Sequence, residues 1–362
     1  GVVVNIEATV DAISRVVQEV ETMAGCKIYD VYTGLAGSHI KSSNSTGTVA
    51  VKDKEVAPED VDGVIKVARA MPIPSEQQIL HVLTQEFIID GQGGVREPIG
   101  MSGVRLEAKV HIVTGAVSAA QNVIKCVRRC GLEVQDLSLQ PLASSHAVLT
   151  EDEKELGVCM VDIGGGTTDI AVFTQGAIRH TAVLPVAGDQ ITNDIAMALR
   201  TPTAEAEELK IRHGVAMHQI ADPEEMIEVP GVGDRPPRKL SRQALADVIE
   251  PRVAELFELV QAELRRSGYE ELLSSGVVLT GGSSVMPGMA ELGEEVFHMP
   301  VRVGAPQYDG SLADVVCQPR YATAMGLVME GAAQRRRGQQ VREPRSVKQM
   351  FGRMKTWFER NF

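Results

Sequence analysis

The sequence predicts an α/β protein of two or more domains, and two glycine-rich turns at the ends of apolar runs are the main reason. In the first, Gly157-Val158-Cys159-Met160-Val161-Asp162-Ile163 meets Gly164-Gly165-Gly166-Thr167-Thr168-Asp169, and a second apolar run, Ile170-Ala171-Val172-Phe173, begins at once. That order reads as strand, tight turn, strand. In the second, Gly276-Val277-Val278-Leu279-Thr280 ends in Gly281-Gly282-Ser283-Ser284 and leads into a helix near Ala290 to Val296. The third observation is size: 362 residues, 44% of them hydrophobic, are ample for more than one core.

The remaining elements follow from periodicity. Val10, Ile13, Val17 and Val20 form a helical stripe that begins near a capping Asn5 and ends at Gly25. A strand over Lys27 to Leu35 comes next. Residues 39–115 read as a small separate unit, with a helix near Pro58 to Ala70 and strands at 79–82 and 85–89. In its last strand Val104, Leu106, Ala108, Val110 and Ile112 alternate with Arg105, Glu107, Lys109 and His111, so one face is expected to be wet. A helix over 119–130 and a strand over 133–139 return the chain to the first large domain. After the hairpin come a strand over 178–186 and a helix from about Gln190 to Leu199. Residues 201–274 form a second excursion, with a Pro/Gly loop and a helical stretch from Ser241 to Arg266 interrupted at Pro251. No internal repeat is visible.

The turns carry the chemistry. Three consecutive glycines leave no Cβ atoms in the way, so backbone N–H groups can close around a polyphosphate. Thr167 and Thr168 add hydroxyl donors, and Asp162, at the end of a buried strand, is placed to hold a magnesium-bound water. A P-loop would need Gly-x-x-x-x-Gly-Lys-Ser/Thr opening into a helix, and none is present. Glycines also collect in ordinary turns, so one such turn alone is weak. The second turn, aiming a helix N-terminus at the same ligand, makes the pair strong.

Together, Val158–Gly176 and Gly276–Gly288 resemble the phosphate-2 and adenosine motifs of the actin/Hsp70/sugar-kinase superfamily. Ala206-Glu207-Glu208-Leu209-Lys210 resembles the helix whose acid and lysine reach the ribose and base in bacterial actins. The plain alternative is an i,i+3 surface ion pair. Leu139 to Ser145 and Tyr321 to Val328 resemble the two small-residue helices that cross between the halves of such folds. Further pieces, His81 to Phe87, Ser102 to His111, Leu149 to Val158 and Arg235-Pro236-Pro237-Arg238, are similar to the FtsA family of bacterial cell-division actins along nearly the whole chain.

That resemblance implies an actin-like ATPase fold: two RNase H-like domains with inserted subdomains, plus a C-terminal amphipathic helix. Domain 1A would be 1–38 and 116–150, domain 1C 39–115, domain 2A 151–200 and 275–330, and domain 2B 201–274. A linker would follow at 331–345 and a membrane-targeting helix at 346–362. ATP and Mg2+ would lie between the large domains, held by Gly164, Gly165, Gly166, Thr167, Thr168, Glu207, Lys210, Gly281, Gly282 and Ser283. Asp162 would orient magnesium through water. Gln140 matches the position of actin's water-orienting glutamine, with a polar residue of a core helix as the alternative. The family's opening Asp-x-Gly-Thr/Ser hairpin is expected ahead of Gly1 and is absent here, which leaves domain 1A N-terminally incomplete.

The C-terminus is legible without any family. Nine of the 36 Lys and Arg fall in residues 331–362 against two acids, so the segment is +7 and the remainder −19 in a chain of net −12. A basic tail on an acidic body points to an anionic partner. Val347, Met350, Phe351, Met354, Trp357 and Phe358 recur at helical spacing and form one apolar stripe, with Lys348, Arg353 and Lys355 on the other face. Such a helix lies in a membrane interface, with each cation near anionic headgroups worth on the order of 1 kcal/mol. The alternative is a helix docked on its own body or in a partner's groove.

No run approaches the length of a bilayer-spanning helix and no signal peptide is visible, and the five cysteines read as reduced, buried thiols of a cytoplasmic protein. Cys126 and Cys130, four apart on a helix, lack a second pair and read as core, as do His213 and His218. An aromatic fraction of 4% without basic interleaving argues against nucleic acid. The expected function is an ATP-binding tether that ties FtsZ filaments to the cytoplasmic face of the inner membrane at the division septum. It would bind the FtsZ C-terminal tail through 2B, late divisome proteins through 1C, and copies of itself in filaments, with at most slow regulatory hydrolysis. The alternatives are a true ATP-hydrolysing enzyme of the same superfamily, or an adaptor like the pilus protein PilM.

Overall fold

The computed structural model describes residues 2–233 and 235–336. Helix α1 (Ile6–Ala24) starts where expected: the Asn5 side chain accepts from the Ala8 N–H, and Gly25 closes the helix at φ 65°. Strand β1 (Asp30–Leu35) then pairs in parallel with β6 (Glu133–Leu139), reached through α3 (Val117–Arg129). Between them lies an antiparallel four-stranded sheet of β2 (Lys41–Ala50), β3 (Gln77–Ile89), β4 (Gln92–Val95) and β5 (Arg105–Ala116), in the order β2-β5-β3-β4. Helix α2 (Pro58–Arg69) covers it so closely that a Cβ on Gly47 would sit 2.3 Å from the Val64 carbonyl oxygen.

The second half is built on a five-stranded sheet. Two short helices, α4 (Gln140–Val148) and α5 (Glu151–Leu156), lead into β7 (Val158–Ile163), β8 (Thr168–Thr174) and β9 (Ala177–Leu184). Then come α6 (Gly188–Leu199), α7 (Thr203–His213), a small ribbon of β10 (Met226–Val229) and β11 (Arg238–Ser241), and the 26-residue α8 (Arg242–Ser267). β12 (Val277–Thr280), α9 (Met289–Phe297) and β13 (Val301–Val303) complete the sheet in the order β13-β12-β7-β8-β9. α10 (Ala313–Val316) and α11 (Ala322–Arg336) close the described chain.

Every residue of β7 and β8 is buried, because both faces of the sheet are covered. Alternation sorts β7 cleanly. Cys159, Val161 and Ile163 join the core shared with α6, α8 and α9, whereas Val158 and Met160 face the core shared with α4 and Ala322 of α11. Asp162 has the parity of Val158 and Met160, so it is turned toward the two crossing helices.

The structure corrects several expectations. α8 runs unbroken through Pro251, since Leu245, Ile249, Val253, Leu256 and Phe257 on either side of it are all buried in one core. Residues 79–82 and 85–89 belong to one strand, β3, with register shifts between Ile79/His81 and Thr84/Glu86. His111 is buried, not wet: its Nδ1 lies 2.7 Å from Asn44 Oδ1 and its Nε2 3.0 Å from Thr181 Oγ1 of β9. That burial, with the charge of His180, drives its pKa down to about 4. Residues 331–336, expected to open a tether, continue α11 instead, and Gly331 is buried against the Tyr32 ring. Only Cys126 and Cys159 are buried thiols; Cys130 and Cys317 are half-buried and Cys26 is exposed. His213 and His218 are half-exposed beside Glu225 and Asp247 rather than core. The membrane-helix residues Val347, Lys348, Met350, Phe351, Arg353, Met354, Lys355, Trp357 and Phe358 lie outside the described residues.

Candidate functional site

The β7–β8 hairpin turns in four residues, with the Gly164 N–H donating to the Thr167 carbonyl at 3.0 Å. Gly165 and Gly166 are exposed, and among the described residues their N–H groups have no acceptor. The turn is fixed from behind by α6. The Gly188 N–H donates to the Gly164 carbonyl (3.1 Å) and the Asp189 N–H to the Gly165 carbonyl (2.7 Å), which leaves the two amides on the open side. Gly281, at φ 87°, brings the second turn against the first: a Cβ there would lie 2.5 Å from both Asp162 Oδ1 and the Ile163 carbonyl oxygen. Ser283 Oγ then donates to the Gly164 carbonyl at 3.1 Å.

Beneath the hairpin the two crossing helices meet at one carboxylate. Asp162 Oδ2 accepts from Ser144 Oγ of α4 at 2.6 Å and from Thr323 Oγ1 of α11 at 3.3 Å, and those hydroxyls are 2.9 Å from each other. The close crossing depends on Gly326, where a Cβ would be 1.8 Å from the Ala143 carbonyl oxygen. Asp162 therefore couples the hairpin to both helices that join the halves of the molecule. Antiparallel register sets Asp169 of β8 directly across from it. Burial raises the pKa of Asp162 despite its two hydroxyl donors. Burial, reinforced by the Asp162 charge, lifts Asp169 to about 7. Asp169 Oδ1 is buried without a partner, and Thr167 Oγ1 approaches Oδ2 at 3.4 Å.

Beside the hairpin is a cavity of about 740 Å³. Gly164, Gly165 and Asp189 line one end, Glu207, Lys210 and Ile211 of α7 another, and Gly282, Ser283, Met286 and Pro287 a third side, with Arg320 at the rim. Lys210 is buried, and its Nζ donates to the Gly188 carbonyl (3.0 Å) and Thr192 Oγ1 (2.8 Å) and pairs with Glu207 at 2.7 Å. Burial opposes ionisation of Glu207, but hydrogen bonds from Lys210 and Thr192 outweigh it and hold the carboxyl below its ordinary value. The pair is thus part of a cavity wall, not an isolated surface contact.

The structure brings Asp162, Gly164, Gly165, Gly166, Thr167, Glu207, Lys210, Gly281, Gly282 and Ser283 into one region. It removes Thr168 from the donor set: that side chain is fully buried and its hydroxyl donates to the Val186 carbonyl at 2.7 Å. A β8 residue facing the core has no route to the open side of the turn. Gln140 opens α4 and lies against Gly34 of β1, whose Cβ would come 2.8 Å from Gln140 Cγ; it does not line the cavity. Asp169, Asp189, Thr192 and Arg320 were not read from the sequence. Asp169 was open to inference, since a turn closed by Gly164 and Thr167 puts 163 opposite 168 and 162 opposite 169. Among the described residues no cluster of three or more His, Cys, Asp or Glu is arranged to ligate a metal directly.

A two-stranded and a five-stranded sheet joined by crossing helices, with paired glycine turns at the crossing, define an actin-like α/β protein with a nucleotide-type site. Solved structures agree on the fold. A chain of the PilM–PilN type IV pilus biogenesis complex superposes with a TM-score of 0.63 at 18% identity, covering 91% of this chain and 87% of that one. MreB5 of Spiroplasma citri bound to ADP gives 0.51 at 17% identity, over 62% and 68%. Sequence narrows the class. The family model "Cell division protein FtsA" matches residues 159–326, and "SHS2 domain inserted in FTSA" matches residues 37–114. Cell division protein FtsA of Pseudomonas aeruginosa is 60% identical, over 100% of this chain and 88% of the relative. FtsA of Neisseria meningitidis is 52% identical over 100% and 89%, and that of Escherichia coli K12 46% over 100% and 89%. The chain belongs to the FtsA family of cell division proteins, and membership of the actin-like ATPase family implies nucleotide binding.

Proposed function

We propose that the protein is an ATP-binding member of the division machinery that ties FtsZ filaments to an anionic membrane surface. The observation that carries this reading is the FtsA relationship, which extends over the whole chain at up to 60% identity among the relatives named above. The site supports the nucleotide part. The open amides of Gly165 and Gly166 suit the phosphates, Glu207 and Lys210 the ribose and base edge, and Ser283 and Gly282 the backbone between them. Magnesium fits as well: Asp162 and Asp169 face one another in a buried position where both resist ionisation, and the unpartnered Asp169 Oδ1 is an acceptor suited to a metal-bound water. When bound, Mg2+ would supply charge neutralisation for the phosphates and let both carboxylates ionise.

In this reading the nucleotide acts through Asp162, because any shift of the hairpin pulls on Ser144 of α4 and Thr323 of α11 together. ATP then favours one arrangement of the two halves and with it self-association. Residues 201–274 are the proposed surface for the FtsZ tail and 39–115 that for late division partners. The tail from Ser346 provides the anchor at the cytoplasmic face of the septal membrane. One bilayer experiment tests the whole: full-length protein with Mg-ATP recruits fluorescent FtsZ filaments to a supported anionic bilayer. Filaments that stay in solution, together with rapid saturable phosphate release, would put the enzyme reading ahead.

A further inference from the structure

Arg320 lies in the one-turn 3₁₀ segment Pro319–Tyr321, at the rim of the cavity. Two contacts fix that segment against the second glycine turn. The Pro319 carbonyl accepts from the Gly281 N–H at 3.3 Å and from Thr280 Oγ1 at 3.4 Å. Gly282 lies beside Arg320: a Cβ at 282 would be in ordinary contact with the Arg320 Cβ at 3.8 Å. The Arg320 guanidinium carbon stands 4.9 Å over the Tyr321 ring, which steadies the planar fork without neutralising its charge.

Charge makes this residue matter. The cavity wall carries the carboxylates of Asp189 and Glu207, with Asp162 and Asp169 behind it. Lys210 is already committed to Glu207, the Gly188 carbonyl and Thr192. Arg320 is exposed and, among the described residues, has no carboxylate partner. A polyphosphate entering here therefore meets one uncompensated cation. Position says which part of the ligand it meets. Ser283 donates to the Gly164 carbonyl, and Gly164, Gly165, Gly282, Ser283 and Arg320 line one cavity, so Arg320 shares the wall formed where the second turn meets the hairpin; Ile211, Met286 and Pro287 add apolar lining.

We infer that Arg320 is a phosphate-contacting residue of the nucleotide site, reaching past Gly282 to the polyphosphate held at the hairpin. This rests on the nucleotide reading above and adds a residue to it. The fork is suited to bidentate, charge-assisted hydrogen bonds to phosphate oxygens. The test is calorimetric titration of full-length wild type, R320A and R320K with Mg-ATP, Mg-ADP and adenosine. R320A is expected to weaken ATP and ADP by about tenfold or more while leaving adenosine within about twofold, with R320K intermediate. Added salt should weaken ATP binding more in wild type than in R320A. Equal thermal melting of the three proteins confirms that an exposed side chain has been removed without unfolding. Unchanged ATP affinity in R320A, or an equal loss for adenosine, overturns the inference. Wild type that binds no ATP overturns the nucleotide reading itself, a separate result.

Discussion

Replacing Gly326 by alanine sets two effects of opposite sign against each other. Gly326 is buried inside α11, and alanine in a helix interior is better than glycine by about 1 kcal/mol. Against that, the new Cβ would lie 1.8 Å from the Ala143 carbonyl oxygen and 2.3 Å from its carbon. Ordinary contact between such atoms is about 3.5–4.0 Å, so α4 and α11 must part by more than about 1 Å. The obstacle is main chain in the middle of α4 and cannot swing aside as a side-chain end would. Overpacking of this kind costs about 1–3 kcal/mol, and a backbone obstacle belongs at the upper end. The net expectation is destabilisation by about 1–2 kcal/mol. Because Ser144 adjoins Ala143 and Thr323 lies one turn before Gly326, the same displacement draws both hydroxyls from Asp162 and lowers nucleotide affinity. Urea unfolding of G326A and wild type, followed by far-ultraviolet circular dichroism, measures the first effect, and calorimetry with Mg-ATP the second. A G326A midpoint equal to or above wild type would refute the close crossing and its link to Asp162.

Thr168→Val removes the hydroxyl bonded to the Val186 carbonyl, so stability should fall by about 1 kcal/mol in urea titrations. Its ATP affinity should stay within about twofold of wild type, and a loss of about tenfold or more would return Thr168 to the phosphate ligands. Asp169→Asn tests the carboxylate pair through pH. The folded carboxyl, lifted to about 7 from an ordinary 3.8, holds a proton that the unfolded chain has already released between those values. Wild-type stability without ligand therefore falls as pH rises through that window, and the loss is complete above about 7. D169N is spared it, so its advantage should be small near pH 4, grow to about pH 8 and then level off in pH-dependent melting. An advantage that shrinks with rising pH would contradict the assignment.

Much of the site was legible because it is local. Three glycines between two apolar runs define a turn at any fold level, and a strand buried on both faces needs no partner to be recognised. The second turn was legible for the same reason. What escaped depends on residues brought together from far apart. Arg320 has no signature in its own segment; it becomes part of the site because Pro319 receives bonds from Gly281 and Thr280. His111 broke the expected wet alternation because β9, from the second half of the chain, covers that end of the sheet. Pro251 signals a break on local grounds, yet the buried residues on both sides keep α8 continuous across the missing backbone bond. Thr168 and Thr167 look alike in sequence, and only the strand parity separates a core hydroxyl from one at the turn.

The proposed role links FtsZ filaments to membrane through the C-terminal segment. Flotation of anionic liposomes with FtsZ filaments and Mg-ATP tests it most directly, comparing the full-length protein with a version cut before Ser346. Filaments are expected to float with the full-length protein and to stay at the bottom with the cut one. Filaments that stay at the bottom with both proteins, or float equally with both, would contradict it.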